Sequence, residues 1–295
     1  MLRRSVWMVA GAILLSAAAA RGDDFWLIPS AFRVAAGDEL LLRGQTSSQF
    51  PRSRVAVSGD RIADARRLGA QAEVPITSFA IEGRSLLLRD RPTAAGQYVI
   101  AIALRPRSVR ESAAGFRRYL EAEGATAALR RVDREGLLRG RDSVTRRYAK
   151  YAKSLVQVGS DGTRAFGRVA NHAIEFVPLR DPASLQIGDT LTVRLLFRGT
   201  ALAGIPVHAD VADLDADVEA APEGGHATPD HAGETVSLLP DRDGLVRLVI
   251  TRRGMWSLRT VHVTQADAAS GADWDTHWGT LVFAAGEPRS RGDRP

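Results

Sequence analysis

The sequence predicts a mainly β protein of two immunoglobulin-like β-sandwich domains joined by a basic, partly helical segment. Three observations carry that expectation. A Gly-Asp turn opens two stretches of alternating apolar residues, a Gly-x-aromatic-x-aliphatic signal closes each half, and the apolar period changes between the halves.

Taken in chain order, Arg3 and Arg4 precede an apolar run from Val6 to Ala20. That run falls short of the roughly 20 residues a membrane span needs, so residues 1–22 read as a secretory signal peptide. Ala20 and Gly22 place cleavage before Asp23, with cleavage after Ala20 as the rival and a retained anchor as the remaining alternative. No second apolar segment of spanning length follows, so no permanent membrane span is expected after cleavage. The chain has 0 cysteines, which excludes a lipid anchor on cysteine, a disulfide framework and thiolate chemistry. Export without disulfides suits a periplasmic or secreted protein.

The first sandwich is expected over residues 23–106. It begins "DDFWLIP", continues through "VAAGDELLLRG" (Val34 to Gly44) and closes with "AAGQYVIAIAL" (Ala94 to Leu104). The second is expected over 158–286, with "IGDTLTVRLLFRG" (Ile187 to Gly199) and "RRGMWSLRTVHV" (Arg252 to Val263) in corresponding places. Gly37 to Arg43 and Gly188 to Arg194 share the pattern Gly-Asp-x-Leu-x-(Leu/Val)-Arg, the way a strand leaves a tight turn to lay one face on a core. Tyr98 with Ile100, and Trp256 with Leu258, fall on single strand faces. A disordered tail is expected over 287–295.

Residues 107–157 have a helical period. Phe116, Tyr119 and Leu120 recur at helical spacing, Ser108 and Glu111 have the spacing of a capping box, and Gly124 interrupts. Tyr148, Tyr151 and Leu155 predict a further amphipathic turn. The formal net charge is +6, yet Arg105 to Lys153 alone holds 14 basic residues against 6 acids. The remainder of the chain beyond the leader is therefore acidic, which excludes a uniformly basic nucleic-acid binder.

No nucleophile motif, metalloprotease helix, P-loop or dinucleotide fingerprint is present, so no enzyme is predicted. The 6 histidines are His172, His208, His226, His231, His262 and His277. His226 and His231 belong to an acidic stretch, Asp213 to Glu234, that reads as a solvated loop and lacks the EF-hand glycine. His262 and His277 lie at the ends of expected strands, where ligands are held more rigidly than on loops.

Several stretches then resemble one family: "DFWLIP", "FRVAAGDELLL", "RRYAKYAKSLVQVG", "NHAIEFVPLRDPASLQIGDTLTVRLLFRGTALAGIPVHA", "DRDGLVRLVITRRGMWSL" and "DWDTHWGTLVF". In this order they resemble the exported bacterial proteins grouped as domain of unknown function 4198, often labelled periplasmic components of cobalt or nickel uptake. The resemblance implies that Phe25 and Trp26 are buried anchors. It also implies a histidine where this chain has Asp23, followed by the acid Asp24. The resulting expectation is a non-enzymatic accessory protein binding a transition-metal ion (nickel, cobalt, copper or zinc). Its ligands would be His262 and His277, joined by Asp23 and Asp24 if the N-terminus folds back near them, and its affinity would fall below about pH 6. The partner would be a metal-uptake transporter or an outer-membrane receptor. The competing expectation is a metal-independent envelope interaction module; an enzyme acting on carbohydrate or peptide is third.

Overall fold

A computed structural model describes residues 22–160, 162–218 and 235–286. The leader through Arg21, the stretch holding His226 and His231, and the tail 287–295 lie outside the described residues. In chain order the first half holds β1 (Asp24–Pro29), β2 (Arg33–Val34), β3 (Leu40–Ser47), β4 (Ile62–Leu68), β5 (Glu73–Pro75), β6 (Ser78–Glu82), β7 (Ser85–Asp90) and β8 (Gly96–Leu104). Then come β9 (Arg107–Ser112), α1 (Ala113–Ala122), α2 (Thr126–Glu135) and β10 (Ser143–Val158). The second half holds β11 (Ile174–Pro178), β12 (Thr190–Phe197), β13 (Thr200–Ala201), β14 (Val207–Ala212), β15 (Val236–Leu238), β16 (Leu245–Val249), β17 (Gly254–Gln265) and β18 (Trp274–Ala285).

One ten-stranded sheet runs through the molecule in the order β15-β14-β17-β18-β10-β8-β4-β5, with β2 and β9 also on β10. Two four-stranded sheets cover it. The sheet β1-β3-β7-β6 packs Phe25, Leu27, Leu42 and Leu86 against Ile100, Ile102, Ala152 and Val156 on one face. The sheet built on β11, β12, β13 and β16 packs Phe176, Val193 and Leu248 against Leu155, Leu258, Leu281 and Phe283 on the other. Successive strand residues point to opposite faces, so even and odd positions of β10, β17 and β18 serve different cores. The protein is thus mainly β, with sandwich-like packed sheets.

The paired sequence signals are paired in space. Gly37 and Gly188 both take positive φ, 86° and 93°, a conformation in which glycine meets no Cβ penalty. The Gly37 amide donates to the Pro92 carbonyl and that of Gly188 to Ile250, four residues before Gly96 and Gly254 respectively. Likewise Pro29 lies opposite Leu42 and Pro178 opposite Val193. The halves meet along β10 and β18, which are parallel from Arg146↔Trp274 to Ser154↔Val282. Parallel strands at the seam and covering sheets on opposite faces are what a pseudo-two-fold along the strand direction produces.

The segment 107–157 is partly helical, as its period requires, with two corrections. Ser112, not Ser108, caps α1, its hydroxyl accepting from the Gly115 amide at 3.0 Å. Ser108 and Glu111 sit in β9. Tyr148, Tyr151 and Leu155 belong to a 16-residue strand rather than a helical turn. On that strand Tyr151 and Leu155 face one core while Tyr148 lies on the opposite face beside Arg61 and Lys150, so their three- and four-residue spacing did not mark a common face. Gly124 does separate the helices, at φ 64°. Much of the basic charge is internally paired, in Arg117–Asp133, Arg131–Glu135, Arg141–Asp273, Arg146–Glu111 and Arg147–Asp275.

Candidate functional site

β17 and β18 are antiparallel, and their register sets His262 directly opposite His277. Directly opposed positions bring Cβ atoms to about 4.5–5.5 Å, and both side chains point to the face shared with Leu258 and Leu281. Phe197, the last residue of β12, is wedged edge-on against both rings, with centroids 4.6 Å from His262 and 5.1 Å from His277. Tyr151 stacks near His277 at 6.5 Å and near His172 at 5.2 Å. The result is a cluster of imidazoles and aromatic rings between the central sheet and its cover.

The Phe197 wedge is held by its hairpin. Phe197 pairs with Thr200 across Arg198 and Gly199, whose φ values are 50° and 78°. Two positive φ angles give the tight primed turn that matches strand twist. The Arg198 guanidinium lies 5.1 Å from the Phe197 ring centre. Burial pushes His262 down to about 4, and the Arg198 charge adds to it. Burial also pushes His277 down to about 4, where Asp275 opposes the shift and His262, Arg198 and Arg147 reinforce it. Both rings are neutral at pH 7 and carry a free lone pair. His277 is 8% exposed, and neither of its ring nitrogens has a hydrogen-bond partner.

Asp23 and Asp24 are not brought to this pair. Asp24 is buried on the opposite face of the central sheet, 3.5 Å from Arg259, which also reaches Asp210 at 3.5 Å. The Asp23 carboxylate binds Arg54 at 3.2 Å, and its carbonyl accepts from the Lys150 ammonium at 2.7 Å. Burial raises Asp24 to about 7; Arg259 and Lys150 oppose this, whereas Glu123 and Asp210 add to it. Burial likewise lowers Lys150 to about 8 against the pull of Asp24 and Asp23. The strand β1, which begins at Asp24, crosses beneath the sheet while the histidines face away from it. Phe25 and Trp26 are 1% and 0% exposed, the expected buried anchors.

His172 is the member of the cluster that strand-end reasoning passed over. It is 5% exposed, both ring nitrogens lack partners, and burial pushes it down to about 3, helped by Lys153 and Arg66. The internal equivalence was its signal. Matching Pro29 with Pro178 and counting back aligns "DDFWLIP" with "HAIEFVP", so His172 occupies in the second half the place of Asp23 in the first. His172 is anchored through its amide, which donates to Glu175. Glu175 also takes the Ala170 amide and pairs with buried Lys153 at 2.8 Å. A cavity of about 300 Å³ elsewhere, lined by Phe32, Arg33, Leu155, Gln157 and Phe283, has no histidine in its wall.

Among the described residues no three or more His, Asp or Glu side chains converge as a metal cage, and no helix is long and apolar enough to cross a membrane. A family model described as "Domain of unknown function (DUF4198)" matches residues 20–264. No curated protein matches. Among solved structures, the Yersinia pseudotuberculosis adhesin InvE is 14% identical at a TM-score of 0.19, covering 88% of this chain and 58% of its own. The chain therefore spans little more than half of that adhesin. The Escherichia coli adhesin FdeC is 15% identical at a TM-score of 0.22, covering 96% and 68%. The mouse nectin-like molecule 4 ectodomain (Ig1–Ig3) is 14% identical at 0.17, covering 92% and 67%. Likenesses of this size carry no functional argument.

Proposed function

From the premise that the chain belongs to the DUF4198 family, whose model spans most of it, we propose an exported, non-enzymatic accessory protein that holds a transition-metal ion in transit. Its coordinating residues are His262 and His277. The observation that carries this reading is their direct opposition in the β17–β18 register, with both His277 ring nitrogens buried and unpartnered. An unsatisfied buried polar group costs about 1–3 kcal/mol, and a bound ion is one of the few things that accounts for it. A pair of neutral imidazoles suits copper, nickel and zinc chemistry.

A site of only two protein ligands fits hand-over to a metal-uptake transporter or outer-membrane receptor better than permanent storage. Calorimetric titration with nickel, cobalt, copper and zinc tests the reading beside the double change His262→Ala and His277→Ala. One ion per chain, lost in the double variant, is the expected result. Equal binding in both proteins, or none in either, would refute it.

A further inference from the structure

Resting on that reading, we propose that the ion is cuprous copper, held two-coordinate between His262 and His277. The first ground is the donor set. The carboxylate whose charge reaches the pair is already engaged: Asp275 binds Arg147 through two contacts of 2.7 and 2.8 Å. Glu175, beside His172, accepts from Lys153, Ala170 and His172. Asp24 faces the other side of the sheet. No third ligand converges among the described residues. Zinc is held by four donors in protein sites, and divalent nickel and cobalt take four to six. Cuprous copper, with a filled d shell, is stable between two neutral nitrogen donors.

The second ground is the shell around the pair. Phe197 packs edge-on against both imidazoles and Tyr151 stacks on His277, which is 8% exposed. Water that would complete a divalent coordination sphere has little room on the His277 side, while His262 is half-buried. The third ground is charge. Asp275, the carboxylate whose charge reaches His277, is already paired with Arg147, and Arg198 sits over Phe197. Coulomb repulsion scales with the ion's charge and desolvation with its square, so a monovalent ion meets half the first and about a quarter of the second.

The test is anaerobic titration of the protein with Cu(I), supplied as its acetonitrile complex in competition with bicinchoninate, beside Ni(II), Co(II) and Zn(II). We expect one Cu(I) per chain, a two-coordinate X-ray absorption edge, and weaker binding of all three divalent ions. His262→Gln and His277→Gln should each weaken Cu(I) by more than about 100-fold, beyond what outer-shell changes cost. Arg198→Gln lies on the exposed turn, keeps both ligands, and guards against misfolded histidine variants. It should strengthen Cu(I) binding and strengthen any divalent binding by about the square of that factor. Tighter binding of a divalent ion through the same histidines overturns the cuprous assignment and leaves the metal-handling reading standing. No metal bound by the unaltered protein overturns both. Cu(I) binding that survives the histidine changes but is lost in His226→Ala with His231→Ala overturns the site.

Discussion

Replacing Asp24 by Asn should make the protein more stable at pH 8 while leaving it nearly unchanged at pH 4. Asp24 is 2% exposed, and one of its carboxylate oxygens has no hydrogen-bond partner. Its folded pKa stands near 7 against 3.8 for the free side chain, chiefly because burial disfavours the charge. The folded state therefore keeps a proton that the unfolded chain releases. The stability linked to that proton is complete below pH 3.8 and is lost as pH rises through about 7. Three pKa units correspond to about 4 kcal/mol. Asn keeps the shape without the ionisation, and the attraction of Arg259 and Lys150 is already contained in the folded value. The gain at pH 8 relative to pH 4 is then about 4 kcal/mol. Urea unfolding of both proteins across pH 4–8 reads it directly, because the histidines titrate alike in each and cancel in the difference. Parallel stability curves for the two proteins would show that Asp24 ionises freely, and the account of its burial would be wrong.

His172 works with the opposite sign: its folded value near 3 means that stability is present above 6.5 and drains away as pH falls towards 3. His172→Phe should flatten the stability curve between pH 7 and 4 by about 3 kcal/mol, measured by the same urea series. Lys153→Met leaves Glu175 charged and 3% exposed without its cation, and should cost about 3–5 kcal/mol in unfolding free energy. Metal affinity measured at pH 7.5 and 5.5 should be nearly equal, since both ligand imidazoles stay neutral to about pH 4. This revises the fall near pH 6 that free histidine would give, and a tenfold loss at pH 5.5 would count against buried ligands.

The sandwich architecture was legible because its signals are local. A Gly-Asp turn needs positive φ at Gly37 and Gly188, and alternating Leu and Val residues after it can only lay one face on a core. The central position of β10 was hidden, because Tyr148, Tyr151 and Leu155 match a helical spacing and a strand equally well over so few residues. Long-range pairing decided it: β10 bonds to β8, β9, β18 and β2, none of which the local pattern announces. His262 and His277 could be read as strand-borne, but their opposition depends on the length of the connection between β17 and β18. The separation of Asp24 from them depends on a single parity, since shifting β18 by one residue would turn His277 to the other face. His172 was within reach only through the repeat.

The seam between β10 and β18 also bears on when the chain can fold during synthesis. Strand β10 carries nine register partners from β18, Arg146 through Ser154, and until Trp274–Ala285 has been made that edge has nothing to pair with. An exposed strand edge recruits other chains, so the nascent first half is at its most adhesive while the second is still being translated. A chain cut between its two halves would keep that hazard permanently. Folding of the first half is therefore tied to the arrival of the last strand, and a truncated product is expected to aggregate rather than persist as a free sandwich.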